Sequence, residues 1–243
     1  MCFILSLILP AFLSFQSQAT TVRLGSTAVQ IRSSDRQPQK LTFLSVHENE
    51  QTAVVAARRV IERHGGRLIE LKARGQRLVS FELDRTRYTF DPNRIFTDIG
   101  LEKSLRRYGR YSKAAHEAVV QLRDALLKTI RNDLQLVVAV HNNTSGDLSV
   151  ESYKRGGELQ AEASRVAINP KLDPDDFFLV LNPTLFERLQ AAGFNVVLQS
   201  AKPTDDGSLS VYSQQAGIPY VNVESRYGHL SAQIRMLEAL LEK

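Results

Sequence analysis

The sequence predicts an α/β fold: one three-layer domain with a mostly parallel or mixed central sheet and helices on both faces. Three observations predict it. Short unbroken apolar runs (LTFLSV 41–46, LQLVVAV 134–140, FFLVLN 177–182) have strand length and no polar face, as strands buried on both sides require. Stretches with apolar residues every three or four positions separate them, as in Val55-Ala56-Val60 and Ala115-Val119-Leu122-Leu126-Ile130. Glycine or proline punctuates the junctions, and this alternation is the signature of helices laid over a central sheet.

Taken in order, residues 1–19 carry no charge, have an apolar core and end in Ser-Gln-Ala, so they read as a secretory signal with cleavage near Ala19. The core contains Pro10 and falls short of the roughly 20 residues of a membrane span, so no stable insertion is expected once the signal is removed. An uncleaved anchor is the rival outcome. The sole cysteine, Cys2, lies within the signal, so a mature domain of about 220 residues is held by its core alone. The predicted location is secreted or periplasmic.

Residues 20–40 read as an N-terminal extension or short hairpin, and the hydrolase-like domain spans 41–243. LTFLSV is followed by a helix, Thr52 to His64, stopped by Gly65-Gly66. RLIELKA and QRLVSFELD are strands on either side of Gly75, and RTRYTFDPNRIFTDIG (85–100) reads as an irregular loop because of Asp91-Pro92-Asn93. A long helix, Ser112 to Asn132, leads into LQLVVAV. A short strand LSVES (148–152), the strand FFLVLN, the helix from Pro183 to its Gly193 stop, and the strand NVVLQS follow. SLSVYSQQAG, IPYVNVE and a C-terminal helix from Ser231 to Lys243 complete the alternation.

The chain carries 31 Lys and Arg against 26 Asp and Glu, a mild excess of +5 without a basic tract interleaved with aromatics. That balance suits an anionic substrate and excludes a nucleic-acid binder. The informative polar residues stand where apolar runs end: His47 and Glu50, His141, and Glu224. Ligands of open α/β sheets bind at the carboxyl ends of strands, so these residues point to one pocket.

Two histidines and a carboxylate form the donor set of a catalytic zinc site with one position left open, which assigns His47, Glu50 and His141 as ligands of one Zn²⁺ ion. Glu48 faces elsewhere in that geometry. Glu224 is the candidate general base. Arg94 offers a planar fork that matches a carboxylate, with Asn93 beside it, and Arg85 or Arg87 is placed to stabilise an oxyanion. His229, Tyr227 and Tyr153 are further candidates for the pocket wall, whereas His64 and His116 read as ordinary helix-surface residues.

His-x-x-Glu, then Asp-Pro-Asn-Arg, then a His and later a Glu after apolar strands, in that order over about 41 to 229, resemble the zinc carboxypeptidase superfamily. The compact spacing is most similar to its succinylglutamate desuccinylase and aspartoacylase branch. The resemblance implies zinc on His47, Glu50 and His141, a substrate carboxylate on Asn93 and Arg94, and Glu224 as base; it leaves the oxyanion arginine unassigned. Glu224 is followed by Ser-Arg-Tyr, a departure from the family's context. The implied activity is hydrolysis of an amide beside a free carboxylate. A carboxypeptidase, with peptidoglycan stem peptides as substrates in an envelope compartment, comes first. An N-acyl amino acid deacylase and a non-catalytic carboxylate-binding module are the alternatives.

Overall fold

The computed structural model describes residues 16–39, 41–131, 136–144 and 148–242. Residues 1–15, most of the expected signal, lie outside them. Among the described residues no helix is long and apolar enough to cross a membrane.

A nine-stranded mixed sheet forms the middle layer, in the order β1-β2-β4-β3-β7-β11-β9-β10-β8. Its centre is parallel: β4 (Gly66–Lys72), β3 (Thr42–Ser45), β7 (Val137–Asn143) and β11 (Tyr220–Arg226) all run one way. Because side chains alternate across a strand, each central strand feeds both faces. On one face Leu44, Ile69, Val137 and Ala139 pack under α2 (Asp98–Tyr108), α3 (Lys113–Arg131) and α5 (Leu209–Ala216). On the other, Phe43, Val138, Val140, Val221 and Val223 pack under α1 (Gln51–His64), α4 (Pro183–Ala191) and α6 (Leu230–Ala239). The predicted three layers are therefore present.

The N-terminal residues form a hairpin, β1 (Gln16–Leu24) with β2 (Thr27–Arg36), and β2 joins the main sheet beside β4. Gln16–Ala19, read from sequence as the end of the signal, pair in register with Asp35–Arg32. The far edge holds β9 (Phe177–Val180), β10 (Asn195–Gln199) and β8 (Ala163–Ala167), a strand the sequence reading missed: its residues are only half-buried and carry no apolar run.

Two segments differ from expectation. The stretch 85–100 is largely regular: β6 (Thr86–Phe90) pairs with β5 (Val79–Leu83) in a separate hairpin, and α2 starts at Asp98 under a Thr97 cap that accepts from Gly100 N. Asp84 and Arg85 turn the hairpin at positive φ (51° and 61°), and Tyr88 and Phe90 point inward while Arg87 and Thr89 point out. The Asp-Pro-Asn cluster interrupts this for only one short helical turn, Pro92–Arg94. Second, LSVES is not a strand. Ser149 and Ser152 form a reciprocal capping box that winds Val150–Tyr153 into a helical turn, burying the two apolar side chains three residues apart.

Candidate metal centre

Three adjacent parallel strands, β3, β7 and β11, deliver the site at their carboxyl ends. His47 lies two residues beyond β3, and Glu50, the residue before α1, turns back so that its N–H bonds His47 O at 3.2 Å. His141 sits on β7 directly opposite Glu224 on β11, and paired residues of parallel strands face the same side. The N–H of Ala53 donates to Asn142 Oδ1, Asn142 Nδ2 donates to Gln233 Oε1, and Gln233 Nε2 donates to His141 O. This buried chain pins the end of β7 between α1 and α6, which fixes where His141 stands.

His47, Glu50 and His141 are 0, 2 and 3 % exposed, and one ligand atom from each lies within 4.8 Å of the others. Glu50 stands between the rings, its Oε1 2.8 Å from His47 Nδ1 and its Oε2 2.9 Å from His141 Nδ1. His47 Nδ1 nonetheless has no properly directed hydrogen bond, and His141 Nε2 is buried with no partner among the described residues. Buried imidazole nitrogens normally find a partner. Two left over beside a carboxylate fit a zinc ion, whose donors are imidazole nitrogen and carboxylate oxygen. Glu48, as expected, faces away and accepts from Ala73 N and Gly75 N.

Two residues complete the centre that sequence reasoning missed. Asp91, read only as a turn former, accepts from His47 Nε2 at 2.7 Å and from Asn93 N at 2.8 Å, which fixes the His47 tautomer with Nδ1 toward the cluster. Its place one residue after an alternating strand was the available signal. Arg77 donates to Glu50 Oε1 at 2.6 Å and lies 4.0 Å from Asp91, with half its side chain still in solvent. Arg85 and Arg87 do not touch the cluster: they belong to the exposed hairpin, where Arg87 donates to Ser80 Oγ. The guanidinium at the cluster is Arg77, because Tyr88 and Phe90 take the inward positions of β6.

Electrostatics favour a proton on His47 within the cluster. Burial pushes the His47 pKa down, but the negative charge of Glu50, with the hydrogen bond and charge of Asp91, outweighs it and raises the ring from 6.5 to about 9. Burial likewise opposes ionisation of Asp91, which the His47 contacts and Asn93 N–H pull down to about 2, and of Glu50, which the two histidines hold below the usual carboxylate range. A raised histidine adds stability that is complete below 6.5 and fades as the pH climbs through about 9. The lowered carboxylates add stability above their unfolded values of 3.8 and 4.5, lost only in stronger acid. Metal binding needs His47 Nδ1 free. Uptake of a divalent metal ion by this cluster at pH 7 is therefore expected to release about one proton and to tighten toward pH 9. Calorimetry in buffers of different ionisation enthalpy measures the release; none would exclude the imidazolium described here.

Around the His47–Glu50–His141 cluster lie the other predicted residues. Glu224 is buried and accepts from Asn222 Nδ2 at 3.0 Å. Arg94 is half-exposed, 3.4 Å from Asp206, and its charge is felt at Asp91, Tyr153 and Tyr220, the two tyrosines that also sense Glu224. Burial and the Glu224 charge keep both phenols protonated and above their ordinary range. The Arg94 turn is held by a close backbone approach: a Cβ on Gly100 would come within 2.0 Å of Gly207, whose φ is +80°. His229 Nδ1 bonds Asp176 Oδ2 at 3.1 Å, and Tyr227 is 59 % exposed at the rim of the β7 and β11 ends.

No family model matches the sequence, and no curated protein does. Among solved structures, the chain is similar to an aspartoacylase family protein from Mesorhizobium loti, at 13% identity and a TM-score of 0.46, over 95% of this chain and 67% of that one. At that distance the site's own geometry carries the functional conclusion.

Proposed function

We propose that the protein is a zinc-dependent hydrolase that cleaves an amide bond beside a free carboxylate. The observation that carries this reading is the buried His47–Glu50–His141 cluster with its two unsatisfied imidazole nitrogens, set against Glu224 on the neighbouring strand. When bound, zinc supplies a Lewis acid that acidifies water and polarises a carbonyl. Asp91 holds His47 in the ligating tautomer. Glu224 takes a proton from the attacking water and passes it to the leaving amine. Arg77 turns its free N–H donors toward the oxygen that gains charge. Arg94, with Asn93, grips the substrate carboxylate, in exchange for Asp206.

Carboxypeptidase activity is the first choice, on peptidoglycan stem peptides if the chain is exported; deacylation of N-acyl amino acids uses the same groups with a smaller acyl pocket. A panel of amides, each offered with a free and an amidated terminal carboxylate, tests the reading on the metal-loaded protein. Arg94→Ala is expected to cost the free-acid substrates about 2 to 4 kcal/mol in transition-state binding, roughly 30- to 1000-fold in kcat/KM, and the amidated ones far less. Arg94→Lys should restore only part, since an ammonium lacks the fork. Equal cleavage of acid and amide by the unmodified protein would remove the carboxylate clamp.

A further inference from the structure

Beside the metal centre, on the outer side of the β5–β6 hairpin, lies an open groove of about 620 Å³ whose lining includes Arg77, Arg87, Arg110, Ser80, Thr89 and Tyr108. We infer that it seats a second, acidic group of the substrate, so that the preferred substrate is an acidic peptide rather than one with a single terminal charge; this rests on the hydrolase reading above. No Asp or Glu lines the groove.

The charges facing it are largely uncompensated. Arg110 has no hydrogen-bond or ion-pair partner among the described residues, and Arg87 has only the 3.3 Å bond to Ser80 Oγ. Glu82 stands across the ladder from Arg87, yet the two make no ion pair. Like charges gathered in a concave wall repel one another and focus a positive field into the space between them, which an entering anion relieves. Guanidinium groups add directed donors for carboxylate oxygens. Tyr108 provides an apolar surface for the intervening chain.

The groove is tied to the chemistry by Arg77, whose guanidinium bonds the ligand Glu50 at one end while half of its side chain is exposed toward the groove. An anion lodged between Arg87 and Arg110 is thus one side chain away from the metal ligands. The fold builds this deliberately. Alternation along β6 sends Arg87 and Thr89 outward while Tyr88 and Phe90 anchor the hairpin, and the chain leaves α2 at Gly109 beside Thr89, bringing Arg110 alongside.

The test is equilibrium binding of two peptides, N-acetylated tetraglutamate and N-acetylated tetraglutamine, both with a free terminal carboxylate, to the zinc-loaded protein at low salt. Tetraglutamate is expected to bind at least about tenfold more tightly, with the advantage shrinking as salt is added. Arg87→Gln with Arg110→Gln should bring the two peptides to within about threefold by weakening tetraglutamate alone, whereas Arg59→Gln with Lys171→Gln, an equal charge loss on other exposed positions, should leave the preference intact. Equal binding of the two peptides, or a preference that survives loss of both groove arginines, would overturn the inference. Binding is read without turnover, so failure to cleave any amide would count against the hydrolase reading and not against the groove.

Discussion

Alanine at any one of His47, Glu50 or His141 is expected to abolish stoichiometric zinc binding while the sheet stays folded. Three ligands share a binding free energy on the order of 10 kcal/mol, so losing one costs several kcal/mol, at least ~100-fold in Kd. His47 and Glu50 stand beyond the end of β3 and His141 in the last three residues of β7, all outside the apolar clusters that join the layers. Elemental analysis after dialysis, with circular dichroism as the check on folding, reads the outcome. Undiminished zinc in a folded variant would exclude that residue as a ligand. Asp91→Asn should weaken binding by a smaller factor, roughly 10- to 100-fold, because it removes the group that orients His47 and leaves the donors in place.

Glu224→Gln is expected to separate chemistry from metal binding. The amide matches the carboxylate in size and still accepts from Asn222, so the β11 end and the zinc content should be unchanged. It cannot take up the proton, and turnover on the best amide of the panel should fall by about 100- to 10,000-fold with little change in KM. Turnover within a few fold of the unmodified protein would place the proton transfer on another group of the pocket.

The gathering of the site residues was legible in the sequence because each follows a run of strand-forming residues, and parallel neighbours end at the same edge of the sheet. His47, His141 and Glu224 were therefore bound to gather once β3, β7 and β11 became neighbours. Arg77 carried no such mark. It stands in a polar connection between two strands, and its meeting with Glu50 depends on Glu48 holding the backbone of Ala73 and Gly75 against the turn before α1. Asp91 was hidden for a different reason. Its side chain caps the Pro92–Arg94 turn, as such sequences lead one to expect, while the same Oδ1 also receives His47.

What the sequence determined by itself was the class of fold, the order of most of its elements and the residues able to hold a metal, since these follow from hydrophobic period, helix and turn punctuation, and the chemistry of His and Glu side chains. Tertiary structure alone decided that 85–100 contains a strand and a helix start, and that LSVES winds into a turn. In both places a few polar residues suit either state, and burial of Tyr88 and Phe90, or of Val150 and Tyr153, settles it. It also decided which arginines face the chemistry. A long charged side chain has no preferred direction along the sequence, and only the packing of hairpin, helix end and strand connection puts Arg77 on Glu50 and leaves Arg85 in solvent.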